Sequence, residues 1–297
     1  MASIDTGMLR GKKGLMVERS AIRCQARPIL LFPRLPILYA GTLTCGRDQL
    51  TYPMSTVALQ FQNVTKHFGK TPVLRELDFA LARGEAFALV GMNGAGKTTL
   101  LKCMLDLCAI DAGDIRIFGL AHNAAHARAR LAFLPERFVP PHFLTGGDFI
   151  RYVLELQTLP YRHAQALQML AALDLDASAL SRPVRSFSKG MTQKLGLAAC
   201  FLAGRDLTVL DEPTSGLDPK ARALLKQQLR QLKSEGRTLF FTSHALADVA
   251  EICDRMALLH QGRLLFVGTP AELCRQRGTD DLEQAFLSCI GAAEQGL

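Results

Sequence analysis

The chain predicts an α/β fold built around a phosphate-binding loop, with a helical block inserted into the α/β core. Three observations carry that expectation. The run Gly91-Met92-Asn93-Gly94-Ala95-Gly96-Lys97-Thr98-Thr99 fits the pattern G-x-x-x-x-G-K-[ST] and lies between a short apolar strand and an apolar-periodic helix. A second apolar strand, Leu207-Thr208-Val209-Leu210, ends in the carboxylates Asp211 and Glu212. Between the two, residues near 143–204 read as mostly helical, and strands alternate with helices again up to about residue 267.

Taken in order, residues 57–61 and 77–81 alternate apolar and polar as strands do. Residues 86–90 are a continuous apolar run, as in a strand buried on both faces, and residues 97–107 carry helical spacing. Asp111-Ala112-Gly113-Asp114 reads as a turn and Ile115-Arg116-Ile117 as a strand. Helices are expected over 148–158, 162–173 and 190–202. Leu239-Phe240-Phe241-Thr242 is a further strand, and the last 20 or so residues read as a weak helix and a polar tail. No internal repeat is present, so each chain carries one set of nucleotide motifs. The expected organisation is an N-terminal extension over 1–53, a domain over 54–277 with its helical subdomain at about 143–204, and a C-terminal tail over 278–297.

Composition bounds the function. An apolar content of 48% with 21% charged residues suits a globular protein with a substantial core. The net charge is +8, but residues 1–53 hold eight Lys/Arg against Asp5, Glu18 and Asp48, so five of those charges lie there. The basic balance is therefore weak support for nucleic-acid binding by the folded body. That first segment mixes Gly, Pro and Arg without periodicity. It reads as a stretch upstream of a true start at Met54, as a basic disordered tail, or as a transit peptide, the last disfavoured by its acids. Eight cysteines are scattered with no C-x-x-C pair, which fits a reducing compartment. His122 and His126 are four residues apart but lack a nearby third ligand, so a solvated face is expected there. The most apolar stretch near the start, residues 29–40, is broken by Pro33, Arg34 and Pro36, so no membrane-spanning helix is predicted.

The chemistry follows from the motifs. Glycines let backbone N–H groups close around phosphates, and the following helix adds the positive end of its dipole. Lys97 is placed to reach the β- and γ-phosphates, and the Thr98 hydroxyl to meet Mg2+. Side chains alternate along a strand, so Asp211 and Glu212 point apart. One can hold the metal while the other, Glu212, orients or deprotonates the attacking water. His244, just past an apolar strand, can donate to the γ-phosphate or to that water. Ser186-Phe187-Ser188-Lys189-Gly190-Met191 opens a helix, with Ser188 as its N-cap and Gly190 allowing close approach to the helix end.

Together these residues resemble the ATP-binding cassette (ABC) ATPases, over about residues 56–275. Gly91 to Thr99 matches the Walker A loop, 207–212 the Walker B strand, 186–191 the signature loop, 215–218 the D-loop, and His244 the switch histidine. The resemblance implies a P-loop NTPase, an ABC-type nucleotide-binding domain with a RecA-like core, an N-terminal antiparallel β-subdomain and an inserted α-helical subdomain. It implies ATP contacts from Phe68, stacked on adenine, and from Gly91, Asn93, Gly94, Ala95, Gly96, Lys97, Thr98 and Thr99. Ser188 and Gly190 are implied to contact ATP held by a second chain. Mg2+ would be held by Thr98, Glu136 and Asp211, with Glu212 and His244 catalytic and Asp218 communicating across the dimer. Two departures stand out: the signature loop has the Phe-Ser-Lys-Gly-Met form, and the Q-loop position, Glu136, holds Glu rather than Gln. Both resemble the export-type branch. The implied activity is ATP hydrolysis coupled to transmembrane transport. The implied partners are separate transmembrane permease subunits and a second copy or a paralogous ATP-binding subunit, with no nucleic acid, at the cytoplasmic face of a bacterial inner membrane. The alternative is a soluble ABC ATPase acting on ribosomes or DNA, but such proteins carry two cassettes or a long insertion.

Overall fold

The apolar pattern folds into two sheets that meet at a phenylalanine cluster. The structure, a computed structural model, describes residues 42–43, 52–53 and 56–295. Thr42–Leu43 and Tyr52–Pro53 form a small antiparallel pair. The remainder of the 1–53 extension lies outside the described residues.

Strands β1 (Val57–Phe68) and β2 (Thr71–Ala82) form a long antiparallel hairpin. Both are more than twice the length expected. Register shifts along the pair, with Asn63 at φ 48° and Glu76 at φ 50°, break the two-residue alternation, so the pattern beyond Phe61 does not look like a strand. After β3 (Ala86–Val90) comes α1 (Lys97–Met104), which stops three residues short of the predicted end because Asp106 turns left-handed at φ 60°. β4 (Ala112–Ile117) pairs with the free edge of β1, and the short β5 (Leu120–Ala121) pairs with β4.

The helical block follows α2 (Ala125–Arg128) and β6 (Leu131–Leu134). It comprises α3 (Gly146–Leu156), α4 (His163–Ala172) and α5 (Lys189–Ala203), each within about two residues of expectation. Caps account for their starts: Thr145 accepts the Asp148 N–H and Ser188 the Met191 N–H. Then come β7 (Leu207–Leu210), α6 (Pro219–Ser234), β8 (Thr238–Ser243), α7 (Leu246–Ile252), β9 (Arg255–His260), β10 (Arg263–Gly268) and α8 (Pro270–Arg277).

The main sheet runs β10-β9-β3-β8-β7-β6, parallel throughout except for the antiparallel β10. Every residue of β3, β7 and β8 is buried, as expected of parallel strands covered on both faces. Because these three are neighbours, the loops after their carboxyl ends converge at one edge of the sheet, where open α/β sheets bind ligands. Phe61 and Phe79 of the hairpin stack at 4.5 Å, and Phe79 stacks on Phe87 of β3 at 5.5 Å. That cluster fixes the antiparallel sheet against the core carrying the phosphate loop.

The weak helix expected near the C-terminus is α9 (Leu282–Gln295), which takes up most of the stretch expected as a tail and buries Leu282, Ala285, Phe286, Cys289 and Ile290 at helical spacing. One expectation is corrected. His122 is buried rather than solvated, with Nδ1 3.1 Å from the Ile115 carbonyl. Among the described residues no group of three or more His, Cys, Asp or Glu is arranged to hold a metal ion, and no helix is long and apolar enough to cross a membrane.

Candidate functional site

The convergent loops enclose a cleft of about 380 Å³, lined by Val73, Met92, Asn93, Gly94, Gly96, Lys97, Thr98, Thr99, Glu136, Glu212 and His244. Its floor is the glycine loop after β3. A Cβ on Gly91 would lie 2.4 Å from the Leu259 carbonyl oxygen, so no larger residue fits between the loop and β9. Gly96, at φ 113°, would set a Cβ 2.9 Å from the Leu74 side chain. The Gly262 N–H, at the β9–β10 turn, donates to the Ala95 carbonyl at 3.0 Å and braces the loop from behind.

Lys97 is 7% exposed. Its ammonium donates to the Gly91 carbonyl at 2.6 Å and stands 3.3 Å from Glu212 Oε1. Glu212 is equally buried, and its other oxygen lies 2.8 Å from His244 Nδ1. Oε1 has no hydrogen-bond partner, so its ion pair with Lys97 is what compensates that buried atom. Glu212 also adopts φ 50°, a left-handed conformation that costs a residue with a side chain about 1–3 kcal/mol. That turn aims the carboxylate into the cleft.

Asp211 occupies the layer beneath. The Thr98 hydroxyl donates to its Oδ2 at 3.2 Å and the Thr242 hydroxyl to its Oδ1 at 2.6 Å. Burial pushes its carboxyl above the usual carboxylate range, with a smaller push from the charges of Glu136 and Glu212, while the two threonine bonds pull the other way. A hydroxyl and carboxylates converging beside a phosphate loop are hard oxygen donors, the set that Mg2+ takes.

The raised value has a direct consequence for stability. The folded state holds a proton on Asp211 more readily than the unfolded chain, so stability falls as pH rises from the ordinary carboxylate value to the raised one. Above both values the charged form is a cost. Asp211→Asn keeps an acceptor for Thr242 and a donor for Thr98. It is expected to raise stability at pH 7 by about 1 kcal/mol. Thermal melts from pH 4 to 8 check this; a variant less stable than the parent at pH 7 would contradict the burial argument.

Thr242 is the site residue that sequence reasoning passed over. Its hydroxyl also accepts the Glu212 N–H at 2.9 Å, so one fully buried side chain holds both acids. The available signal was a single polar residue closing the apolar run of β8.

Of the other expected residues, Glu136 lines the cleft, whereas Phe68, Ser188, Gly190 and Asp218 do not. Phe68, 54% exposed, ends β1 with the Lys66 ammonium 5.5 Å from its ring centroid. Ser188 caps α5, and its neighbours Phe187 and Lys189 line a separate groove of about 540 Å³, so the signature loop does not reach the cleft of its own chain. Gly190 is placed at the same helix start, where a Cβ would meet the Gly216 carbonyl at 3.4 Å. Glu136 lines both the cleft and the groove. Asp218 caps α6 by accepting the Ala221 N–H at 2.9 Å.

Comparison with known proteins supports the fold. A family model described as ABC transporter matches residues 74–215. An uncharacterized ABC transporter ATP-binding protein of Synechocystis is 37% identical over 232 residues, covering 77% of this chain and 64% of that protein. A Nod factor export ATP-binding protein I of Burkholderia orbicola is 36% identical, covering 77% of each chain. A linearmycin resistance ATP-binding protein of Bacillus subtilis is 30% identical, covering 79% of this chain and 76% of its own. A solved structure of an ABC transporter ATP-binding subunit superposes with TM-score 0.70 at 29% identity, covering 78% of this chain and 99% of that one.

Proposed function

The chain belongs to the ABC transporter family of ATP-binding subunits, and from that premise we propose that it binds ATP with Mg2+ in the cleft above β3, β7 and β8 and hydrolyses it to drive a membrane exporter. The observation that carries the reading is the Lys97–Glu212–His244 arrangement. A buried cation and a buried carboxylate face each other across a phosphate loop, with a histidine on the carboxylate's far oxygen.

In this arrangement Lys97 and Glu212 neutralise each other until a nucleotide enters. The γ-phosphate then takes over the Lys97 ammonium, and Glu212 Oε1 is released to accept a proton from water. His244 holds Oε2 and so orients the carboxylate. Thr98, Asp211 and Glu136 are the residues that would hold Mg2+, which supplies charge neutralisation on the phosphate oxygens when bound. Phe68 offers a ring face outside the cleft for the base.

None of the signature-loop residues 186–191 lines its own chain's cleft, which supports a head-to-tail arrangement with a second ATP-binding chain. Ser188 and Gly190 of one chain would then meet ATP on the other, with Asp218 at the junction. A relative named for Nod factor export supports the outward direction. The groove beside Glu136 and the helical block is the surface proposed for separate transmembrane subunits, at the cytoplasmic face of the inner membrane.

The test is co-purification of the tagged chain from gently solubilised native membranes. Recovery of a polytopic membrane protein is the expected result. Recovery of ribosomes or DNA-processing proteins without any membrane partner would overturn it.

A further inference from the structure

Phe68 stands at the tip of the β1–β2 hairpin, where the ladder gives it little support. Its last pairings are His67 with Pro72 and Phe68 with Thr71, and Pro72 has no N–H to contribute. On the other side, β4 begins only at Ala112, opposite Thr65, so it does not reach His67. Asp111, the residue before β4, takes the place of a strand there. Its N–H donates to the Thr65 carbonyl at 2.9 Å. Its Oδ1 accepts from Lys66 Nζ at 2.9 Å, and its Oδ2 accepts the His67 N–H at 2.6 Å, with His67 Nδ1 a further 3.2 Å contact. Three consecutive residues leading into Phe68 are thereby fastened to one aspartate. The Lys66 bond first, and then the His67 amide, hold the Asp111 carboxyl below the usual carboxylate range, so it is fully charged at neutral pH.

We propose that Asp111 is a positioning residue for the nucleobase: its carboxylate pins the tip of β1 so that the Phe68 ring stands at a fixed place relative to the phosphate loop. The inference rests on Phe68 being the base platform, as proposed above. The connection is direct in the chain as well. Asp111 ends the segment that leaves α1, and α1 begins with Lys97 and Thr98. The segment from the phosphate-loop helix to Asp111 thus links that helix to the tip of β1. With the Lys66 ammonium over the Phe68 ring, drawn there by the same carboxylate, one ring face is occupied and the other is left for a purine.

The experiment compares binding of ATP with binding of inorganic tripolyphosphate, which has the phosphates and no base, to the full chain. Asp111 is 40% exposed and its ion pairs are of the surface kind that contribute little to stability, so Asp111→Ala is expected to fold. Phe68→Ala is expected to weaken ATP about 10-fold, the scale of one base–aromatic stack, and to leave tripolyphosphate unchanged. That result tests the platform itself. Asp111→Ala is expected to weaken ATP about 5-fold with tripolyphosphate unchanged, and to add nothing in the Phe68→Ala background. Asp111→Asn, which keeps an acceptor for the His67 N–H, is expected to recover most of the loss. Three results would overturn the proposal: equal weakening of both ligands by Asp111→Ala, no effect on ATP, or a full additional loss on top of Phe68→Ala. If Phe68→Ala itself leaves ATP binding intact, the platform reading fails, and the positioning role falls with it.

Discussion

Glu212→Gln is expected to lower ATP turnover by about 100-fold or more, the scale of removing a general base, while ATP binding is kept or tightened. The geometry separates the two effects. Gln is nearly isosteric with Glu, so the backbone turn at φ 50°, the Thr242 bond to the Glu212 N–H and the contact with His244 can all persist. What disappears is the charge and the proton acceptor. Without the carboxylate, the Lys97 ammonium no longer has a buried anion 3.3 Å away and is free for phosphate before ATP arrives. The variant should therefore accumulate as an ATP-bound dimer. Steady-state hydrolysis, equilibrium ATP titration and size-exclusion chromatography with and without ATP check the three parts. Turnover at the parental rate, or a protein that stays monomeric with ATP, would remove Glu212 from its assigned role.

How much of this was readable in the residues themselves depended on how local the physics is. The glycine loop, the acidic strand end and His244 are short patterns whose chemistry is carried by neighbours in sequence, and the fold brings all three to one edge of the sheet as expected. The helices of the inserted block were legible because caps and apolar spacing sit within each segment, as with Ser188 and α5. The long hairpin was half hidden, since bulges near Val64 reset its alternation. Thr242 was missed because its partners, Asp211 and Glu212, lie on a different strand about 30 residues away, and only the parallel pairing of β7 with β8 brings them together. The same holds for Asp111, whose partners on β1 are more than 40 residues earlier. The extent of the C-terminal helix was underestimated for another reason: its stripe of Leu282, Ala285, Phe286, Cys289 and Ile290 is interrupted by small residues and finds its partners only on α7, α8 and β10.

Lys97→Met should have two separable consequences, one on the ligand and one on the fold. Methionine keeps most of the stem volume and removes only the ammonium. ATP loses charge-assisted hydrogen bonds that contribute about 1.5–3 kcal/mol each, so affinity should fall about 100-fold. Without nucleotide, Glu212 Oε1 is left buried with no cation beside it, and it has no hydrogen bond of its own to fall back on. Breaking a buried pair by removing one partner costs about 3–5 kcal/mol, and the His244 contact to the other oxygen places the expected loss near the lower bound. The double variant Lys97→Met with Glu212→Gln separates the two terms. It should recover most of the lost stability, because no uncompensated charge remains, yet still bind ATP weakly. Denaturant melts of the four proteins, alongside ATP titrations, measure the coupling. If the single Lys97→Met variant is as stable as the parent, the pair does not contribute to the nucleotide-free fold. In that case ATP has no internal ion pair to displace, and release of Glu212 by the incoming γ-phosphate is ruled out as the trigger for hydrolysis.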